Sequence, residues 1–262
     1  MKIVKAHALG NDFLLIDEQT LPETIDRAAL TRSTCERHRG IGADGAIFFS
    51  LLPAGASMHL LNADGSPSEI SGNGVRCLAA WIASQHGAVP GSSLQIQTDA
   101  GVKTLTLVEK EGNRWTFRAA MGAPERVEQR TLDVNGQPVT AITLRVGNPQ
   151  CVVLGEATES RLHSIASKLA VHPAFPQGTN VELASVETPD RVRILIWERG
   201  VGPTEASGTG ACAAAVAASA YGGARRDVQV VSPGGIQRVE WRDDGLYLTG
   251  WAEVLFDGRW LM

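Results

Sequence analysis

One motif that occurs twice constrains the fold more than any other feature of the chain. Residues 67–74 read PSEISGNG, and residues 203–210 read PTEASGTG. Each copy opens an alanine-rich stretch, VRCLAAWIASQHG or ACAAAVAASAYGG. Both stretches end at glycine, a residue that is common where helices terminate. Each motif therefore predicts a glycine-rich turn that leads into a helix.

A Gly-Asn turn lies at nearly the same distance before each copy of the motif. Asn11 in LGNDF lies 60 residues before Ser71, and Asn148 in VGNPQ lies 59 residues before Ser207. Each turn interrupts an apolar run that predicts β-strand. Two turns and two helix starts in register indicate an internal duplication into two similar α/β halves.

The duplication predicts two domains, residues 1–115 and residues 116–251. The strand-like segment 252–262 is a candidate strand of the first domain. Residues 24–40 and 159–173 predict amphipathic helices. If the two repeated helix starts face each other, their unpaired N–H groups and positive dipole ends would bind one small anion.

The composition argues against several classes of function. The 262 residues carry a formal net charge of −4 without a run of Lys or Arg, so nucleic acid is not an expected partner. No apolar run approaches the ~18 residues of a membrane span, and the N-terminal sequence lacks the apolar segment of a secretion signal. The four cysteines are scattered without a CxxC pair, which predicts neither a metal site nor a disulfide framework. We therefore expect a cytoplasmic protein with no membrane or metal partner.

Eight short motifs, taken together and in order, are typical of one family. They are LGNDFLLID, RHRGIGADG, NADGS, GNGVRC, VGNPQCVV, NVE, WERGVG and GTGACAAA. On these motifs the chain resembles the diaminopimelate epimerases, which are cofactor-independent amino-acid racemases. The resemblance implies an α/β fold of two pseudo-symmetric domains, each a β-barrel-like sheet around a central helix. It also implies an isomerase with its active site in the cleft between the domains and no bound cofactor, lysine biosynthesis as its pathway, and a homodimer.

The resemblance places two catalytic cysteines just before the two Gly-x-Gly turns. In the family one thiolate removes the α-proton, and a second thiol delivers a proton to the opposite face. This chain has Ser71 and Ser207 at those positions. Because a hydroxyl is a weak base until a neighbouring base activates it, a two-thiol mechanism is excluded. We expect the serines to hydrogen-bond the ligand or relay a proton, with Glu198 as a candidate catalytic carboxylate.

Three further residues bear on where a replacement base would come from. Gln150 stands where the family usually has a histidine, and a glutamine does not titrate. Glu205, two residues before Ser207, is either a replacement base or a solvated loop glutamate. His7 is another candidate base.

The residues that match the family's ligand-binding positions are retained, which implies a binding site for a small zwitterionic or dicarboxylic amino-acid-like molecule. An arginine among them suits a carboxylate, because the Arg–carboxylate contact is geometrically selective. The candidate binding residues are Asn11, Asn62, Gly72, Asn73, Asn148, Asn180, Arg199, Gly208 and Thr209.

Four interpretations of the serines stay open at this point. The chain is an epimerase-like enzyme that works through serines, or a diverged double-bond isomerase, cyclase or dehydratase that uses other acid–base groups. Alternatively, it is a binding protein that keeps the pocket without the chemistry, or an active epimerase engineered to trap a ligand. Gln150 argues against the last interpretation, because trapping a ligand would not require it.

Overall fold

The computed structural model describes residues 1–68 and 70–261, which form two compact units. Unit 1 contains the described residues of 1–119 and 250–262, and unit 2 contains residues 120–249. The first elements along the chain are β1 Lys2–Ala8, β2 Asn11–Asp17, a 3₁₀ turn Glu18–Thr20, α1 Arg27–Cys35, β3 Gly45–Leu52, β4 Gly55–Asn62, β5 Pro67–Ser68, α2 Gly72–His86, β6 Ser93–Thr98, β7 Gly101–Glu111 and β8 Arg114–Gly122.

The later elements follow in the order β9 Glu125–Val134, β10 Gln137–Val146, β11 Asn148–Leu154, α3 Glu159–Arg161, a π-helical turn Leu162–Ala166, α4 Ser167–Leu169, β12 Asn180–Thr188, β13 Arg191–Glu198, β14 Gly202–Thr204, α5 Gly208–Tyr221, β15 Asp227–Ser232, β16 Gly235–Arg242 and β17 Gly245–Arg259. In the part of the chain that the structure describes, no helix is both long and apolar enough to cross a bilayer.

In unit 1 a sheet closes around α2. The pairs β1–β2, β3–β4, β6–β7 and β7–β8 are antiparallel, whereas β2–β3 and β4–β6 are parallel. The later residues of β17 pair with β1, and β17 also pairs with β8, which completes a ring of eight strands. Helix α2 packs against β1, β2, β4, β6 and β7.

The apolar runs of β1 to β3 are explained by burial on both faces of the sheet. One face packs on α2 through side chains such as Phe13 and Ile47. The other face packs on α1 through Leu14 and Phe48. A strand that is buried on both faces is continuously apolar rather than alternating, as the sequence LLI in β2 shows.

Unit 2 has a similar arrangement around α5. Its strands pair in the order β9, β10, β11, β12, β13, β15, β16, and then the first residues of β17. Helix α5 packs against β10 to β13, β15 and β16, and its alanines let it lie close to these strands. The opposite face of β11 and β12 packs on the helical segment 159–169.

The strand registers next to α2 and α5 correspond. Ile47 on β3 pairs with Leu15 on the parallel strand β2. Glu182 on β12 pairs with Val152 on the parallel strand β11. Ile47 and Glu182 therefore occupy matching places in their units, one apolar and one acidic.

The structure confirms the helices predicted after both motifs and the α/β class with a sheet around a central helix. The two predicted amphipathic helices are shorter than expected. Only Arg27–Cys35 of residues 24–40 is helical, because the chain then turns and Ile41 N–H donates back to the carbonyl of Thr34. Of residues 159–173, only 159–169 are helical, as α3, the π-helical turn and α4 in succession.

Replacing Gly40 by Ala should destabilise unit 1. A Cβ atom there would lie 2.6 Å from the carbonyl oxygens of Glu36 and Thr34, and closer still to that of Ser33. These are backbone atoms that cannot move without opening the end of α1, so we expect a loss of about 1–3 kcal/mol in the free energy of unfolding. Urea denaturation measures it. Gly258→Ala is the control, since its nearest neighbours lie at 3.8 Å. Equal stability of both variants would contradict this prediction.

Candidate active site

Ser71 and Ser207 are the N-caps of the two central helices. Both have extended backbone angles, with φ −129° at Ser71 and φ −138° at Ser207. The hydroxyl of Ser71 accepts a hydrogen bond from Gly74 N–H at 3.1 Å, and that of Ser207 accepts one from Gly210 N–H at 3.2 Å. Serine is a favoured N-cap because its oxygen satisfies one orphan donor of the first turn. Each hydroxyl thus lies at the positive end of a helix dipole.

The glycines that follow the two serines differ in their surroundings. A Cβ atom at Gly72 would meet no atom within 4 Å, so the backbone there is open to a ligand. At Gly208 the side chain of Leu248 lies 3.0 Å from the same position. Thr209 is partly buried in the first turn of α5.

The structure brings Asn11 and Asn73 of unit 1 together. Asn73 Nδ2 donates to Asn11 Oδ1 at 3.2 Å, and Asn11 Nδ2 donates to Asp44 Oδ2 at 2.8 Å. The buried guanidinium of Arg76 donates to Asn73 Oδ1. These bonds fix the orientation of both amides.

A charged network holds Asp44 in turn. Arg37 donates to Asp44 Oδ1 at 2.8 Å and to Asp12 Oδ1 at 3.0 Å, and Lys5 donates to Asp12 Oδ2 at 2.6 Å. Burial raises the pKa of Asp12, but the hydrogen bonds from Arg37 and Lys5 outweigh it, so the pKa is lowered. The network anchors the loop RHRGIGADG against the start of β2.

Asn62 stands apart from this cluster. It is exposed at the end of β4, and its Nδ2 donates to Ser66 Oγ at 3.0 Å within the turn NADGS. No hydrogen bond joins it to Asn11 or Asn73 among the described residues.

In unit 2 the predicted polar residues lie at adjoining strand ends. Gln150 Nε2 donates to Asn148 Oδ1 at 2.5 Å, and Gln150 pairs with Asn180 across the parallel strands β11 and β12. Asn180 Oδ1 accepts from the backbone N–H of Arg199 at 2.9 Å. The exposed Arg199 guanidinium donates to the carbonyl of Gln177 at 2.9 Å, which leaves most of its N–H groups for a carboxylate.

The three candidate bases differ in their surroundings. Glu198 is half-buried at the end of β13. Glu205 has an exposed side chain, which favours the interpretation as a solvated loop glutamate. His7 has both ring nitrogens engaged, because Nδ1 accepts from Gly10 N–H at 3.3 Å and Nε2 lies 3.3 Å from a carboxylate oxygen of Glu253.

All four cysteines are buried, and none of them forms a disulfide. Burial raises the pKa of Cys35 to about 11 and raises the pKa of Cys77 and Cys151 further. These three thiols stay protonated at neutral pH and cannot supply a thiolate. Among residues 1–68 and 70–261, no group of three or more His, Cys, Asp or Glu side chains is arranged to hold a metal ion.

Glu182 is the buried acidic residue for which the sequence analysis offered no role. It is completely buried on β12, and neither carboxyl oxygen has a hydrogen-bond partner among the described residues. A Cβ atom at Gly210 would lie 2.6 Å from its Oε1, so the carboxyl lies against the first turn of α5. Burial, and then repulsion from Glu198, raises the pKa of Glu182 well above its usual range. The sequence signal was a glutamate inside the otherwise apolar strand NVELASV.

Replacing Glu182 by Gln should change how stability depends on pH. Because the folded state keeps a proton that the unfolded chain releases near pH 4.5, stability is highest below that pH and falls as the pH rises toward the folded pKa. As the pH rises from 4.5 toward the folded pKa of Glu182, the wild type should lose stability that the variant keeps. The difference in free energy of unfolding should shift in favour of the variant by about 1.4 kcal/mol per pH unit. Urea denaturation at several pH values measures the difference.

Glu187→Gln is the matched control on the same strand. Hydrogen bonds from Arg193 and Arg191 lower the pKa of Glu187. The stability that ionised Glu187 contributes is therefore lost only as the pH falls below 4.5, and it stays constant at higher pH. A constant difference between the wild type and Glu182→Gln across this range would show that Glu182 ionises normally.

Comparison with known proteins identifies a family. Residues 3–127 and 142–255 match the family model described as diaminopimelate epimerase. A diaminopimelate epimerase from Desulforudis audaxviator is 40% identical, and the alignment covers 100% of this chain and 99% of the relative. Another from Desulfitobacterium hafniense is 41% identical, with 98% of this chain and 97% of the relative covered.

The fold also matches solved structures over the full length of the chain. The structure of a predicted epimerase from Pseudomonas aeruginosa superposes with a TM-score of 0.76 at 16% identity, covering 100% of this chain and 99% of the other. At that identity the match concerns the fold alone. Together with the family model and the relatives, it shows that the chain belongs to the diaminopimelate epimerase family of isomerases.

Proposed function

We propose that the chain moves a proton at the α-carbon of a small amino-acid-like carboxylate, with Ser71 and Ser207 as the residues on which the reaction depends. One observation carries the proposal. Helices α2 and α5 each begin at an N-capping serine hydroxyl, and a hydrogen bond to Asn11 holds the amide of Asn73 in the first turn of α2. This arrangement provides a hydroxyl and a positive dipole end at each of the two helix starts.

The proposed substrate is diaminopimelate or a related zwitterionic amino acid. The names of the relatives support this choice, and so does the chemistry of the candidate residues. Amide side chains both donate and accept, so they suit ammonium and carboxylate groups, and the fork of Arg199 suits a carboxylate. The proposed ligand-binding residues are Asn11, Asn62, Gly72, Asn73, Asn148, Asn180, Arg199, Gly208 and Thr209.

The helix starts would supply the electrostatic stabilisation. Removal of an α-proton leaves negative charge on the substrate, and no pyridoxal group is proposed to spread it. Backbone N–H groups and dipoles aimed at developing charge are effective because they need no reorganisation during the reaction. Gly72, next to Ser71, lets a substrate approach the N–H groups of α2.

The proton transfers balance in the following way. Ser207 Oγ takes the α-proton as its own proton passes to the Glu198 carboxylate. Ser71 donates its hydroxyl proton to the opposite face of the α-carbon and regains a proton from water. The hydroxide that remains takes the proton from Glu198, which returns both serines and Glu198 to their starting states. Since a serine hydroxyl is a much weaker acid than a thiol, we expect this exchange to be slow.

Four wider expectations belong to the same proposal. The corresponding registers at Ile47 and Glu182 support an internal duplication of the two units. Participation in lysine biosynthesis would follow from the proposed substrate. A homodimer and a cytoplasmic location stay predictions.

Proton NMR of LL- and meso-diaminopimelate in D₂O tests the proposal. We expect the α-proton signal to fall over hours with the wild type and to persist with a Ser71→Ala/Ser207→Ala variant. The Ser71→Cys/Ser207→Cys variant should exchange at least about 100-fold faster than the wild type, because a thiol with a reference pKa of about 8.5 gives a far stronger acid–base pair.

Loss of the N-caps needs a separate control. Each alanine should cost about 1 kcal/mol of stability, so thermal unfolding must show that the double variant is folded. Thr158→Ala removes the hydroxyl that caps α3 and should leave exchange unaltered. A wild-type spectrum that stays static would refute proton transfer on diaminopimelate, and a gain with the two cysteines would then indicate a binding site that had lost its chemistry.

A further inference from the structure

Glu182 is a buried carboxyl group that the proposed reaction does not use. Its side chain is aimed into the start of α5: the position of a Cβ atom at Gly210 lies 2.6 Å from Glu182 Oε1 and 3.2 Å from Ser207 Cβ. The residue is 0% exposed, and both of its oxygens lack hydrogen-bond partners among the described residues. A buried polar group in this condition costs free energy, so its retention calls for an explanation.

The fold itself does not require an acid at this place. In unit 1 the matching residue is Ile47, whose Cδ1 lies 2.9 Å from the position of a Cβ atom at Gly74. Ile47 packs beneath the first turn of α2 as Glu182 packs beneath that of α5. The same helix start is therefore built once on an apolar side chain and once on a carboxyl group.

Among the residues that the structure describes, two titratable groups interact with Glu182. Glu198 at the end of β13 repels it, and Cys151 on β11 interacts with it electrostatically. On α5, the first-turn residues 208–210 carry no titratable side chain. Gln150 Oε1 and Thr204 Oγ1 are further buried oxygens of unit 2 that lack partners in the described part of the chain.

We propose that Glu182 is a positioning residue of the proposed reaction, and that the charge of its carboxyl group sets how strongly the start of α5 favours an anion at Ser207. The inference rests on the proposed function for its biological meaning, and its geometry lies wholly within unit 2. When the carboxyl is protonated, the first-turn N–H groups and the dipole act on the substrate alone. When it ionises, a negative charge beneath the turn opposes any second negative charge there.

A thiol introduced at position 207 reports on this coupling without any substrate. In a Ser207→Cys variant, the rate of alkylation by iodoacetamide at different pH values gives the titration of the new thiol, because the thiolate is the nucleophile. Two acids that interact strongly titrate in two macroscopic steps separated by about one pH unit or more. We expect such a two-step profile with Glu182 present and a single step in the Ser207→Cys/Glu182→Gln variant, read by mass spectrometry of the labelled peptide.

The chain offers a matched control in its other half. A Ser71→Cys variant places a thiol at the start of α2, above Ile47, so its profile should have one step with or without Glu182→Gln. Glu187→Gln, on the same strand as Glu182, should leave the two-step profile at position 207 intact. Labelling of the wild type gives the background from the buried native cysteines.

Two results would overturn the inference. One is a pH profile of alkylation at position 207 that is the same in Ser207→Cys and in Ser207→Cys/Glu182→Gln. The other is a second titration step that survives in the Ser207→Cys/Glu182→Ile variant. This variant has at position 182 the residue type that unit 1 has at Ile47, and it replaces the Gln variant if that variant does not fold. Thermal unfolding of each variant shows that the comparison is made between folded proteins.

The readout in the native serine background is the pH profile of α-proton exchange. We expect exchange by the wild type to fall at alkaline pH relative to Glu182→Gln, because ionised Glu182 opposes the developing charge. If the wild type shows no exchange at any pH, the proposed function fails, and the thiol titration still decides the role of Glu182. Suppose instead that exchange is seen, that the wild type and Glu182→Gln have identical pH profiles, and that the thiol titration has one step. In that case only the inference about Glu182 fails.

Discussion

The N-terminal N–H groups of two buried helices are the constraint on which the rest of the molecule depends. Most of α2 and α5 is buried within its sheet, so the donors of the first turn cannot all rely on bulk water. The serine cap satisfies one donor in each helix, and at Gly72 the backbone of α2 is open to a small polar molecule. A fold that buries a helix start in this way creates an anion-binding feature as a consequence of its own hydrogen-bonding needs.

The two units meet this constraint with different supporting residues. In unit 1 an apolar layer lies beneath the turn, and the polar contacts run sideways from Arg76 through Asn73 and Asn11 to Asp44. In unit 2 the layer beneath the turn contains a carboxyl group, Glu182, close to Glu198. Similar backbones therefore carry unlike electrostatics in the two units.

The elements that local patterns specify were predictable from sequence. The paired SGxG turns led to α2 and α5, and the order of eight motifs led to the family. The length of α1 was not predictable, because it is ended by tertiary hydrogen bonds to the loop that contains Gly40. Glu182 was also missed as a functional residue. Its meaning depends on which side chain faces the first turn of α5, and a strand register of this kind is set by pairing between distant segments.

The serines separate two roles that a cysteine combines. A residue at the start of these helices can cap the first turn, and it can carry a proton. Serine caps well, so neither the helix nor its anion-favouring end is lost when sulfur is absent. The proton-carrying role is weakened, because a hydroxyl needs a neighbouring base. In unit 2 the half-buried carboxyl of Glu198 lies at the strand end before β14, whereas the cluster of unit 1 that adjoins Ser71 consists of amides and arginine-paired carboxylates. The two serines therefore lie in units with different acid–base groups.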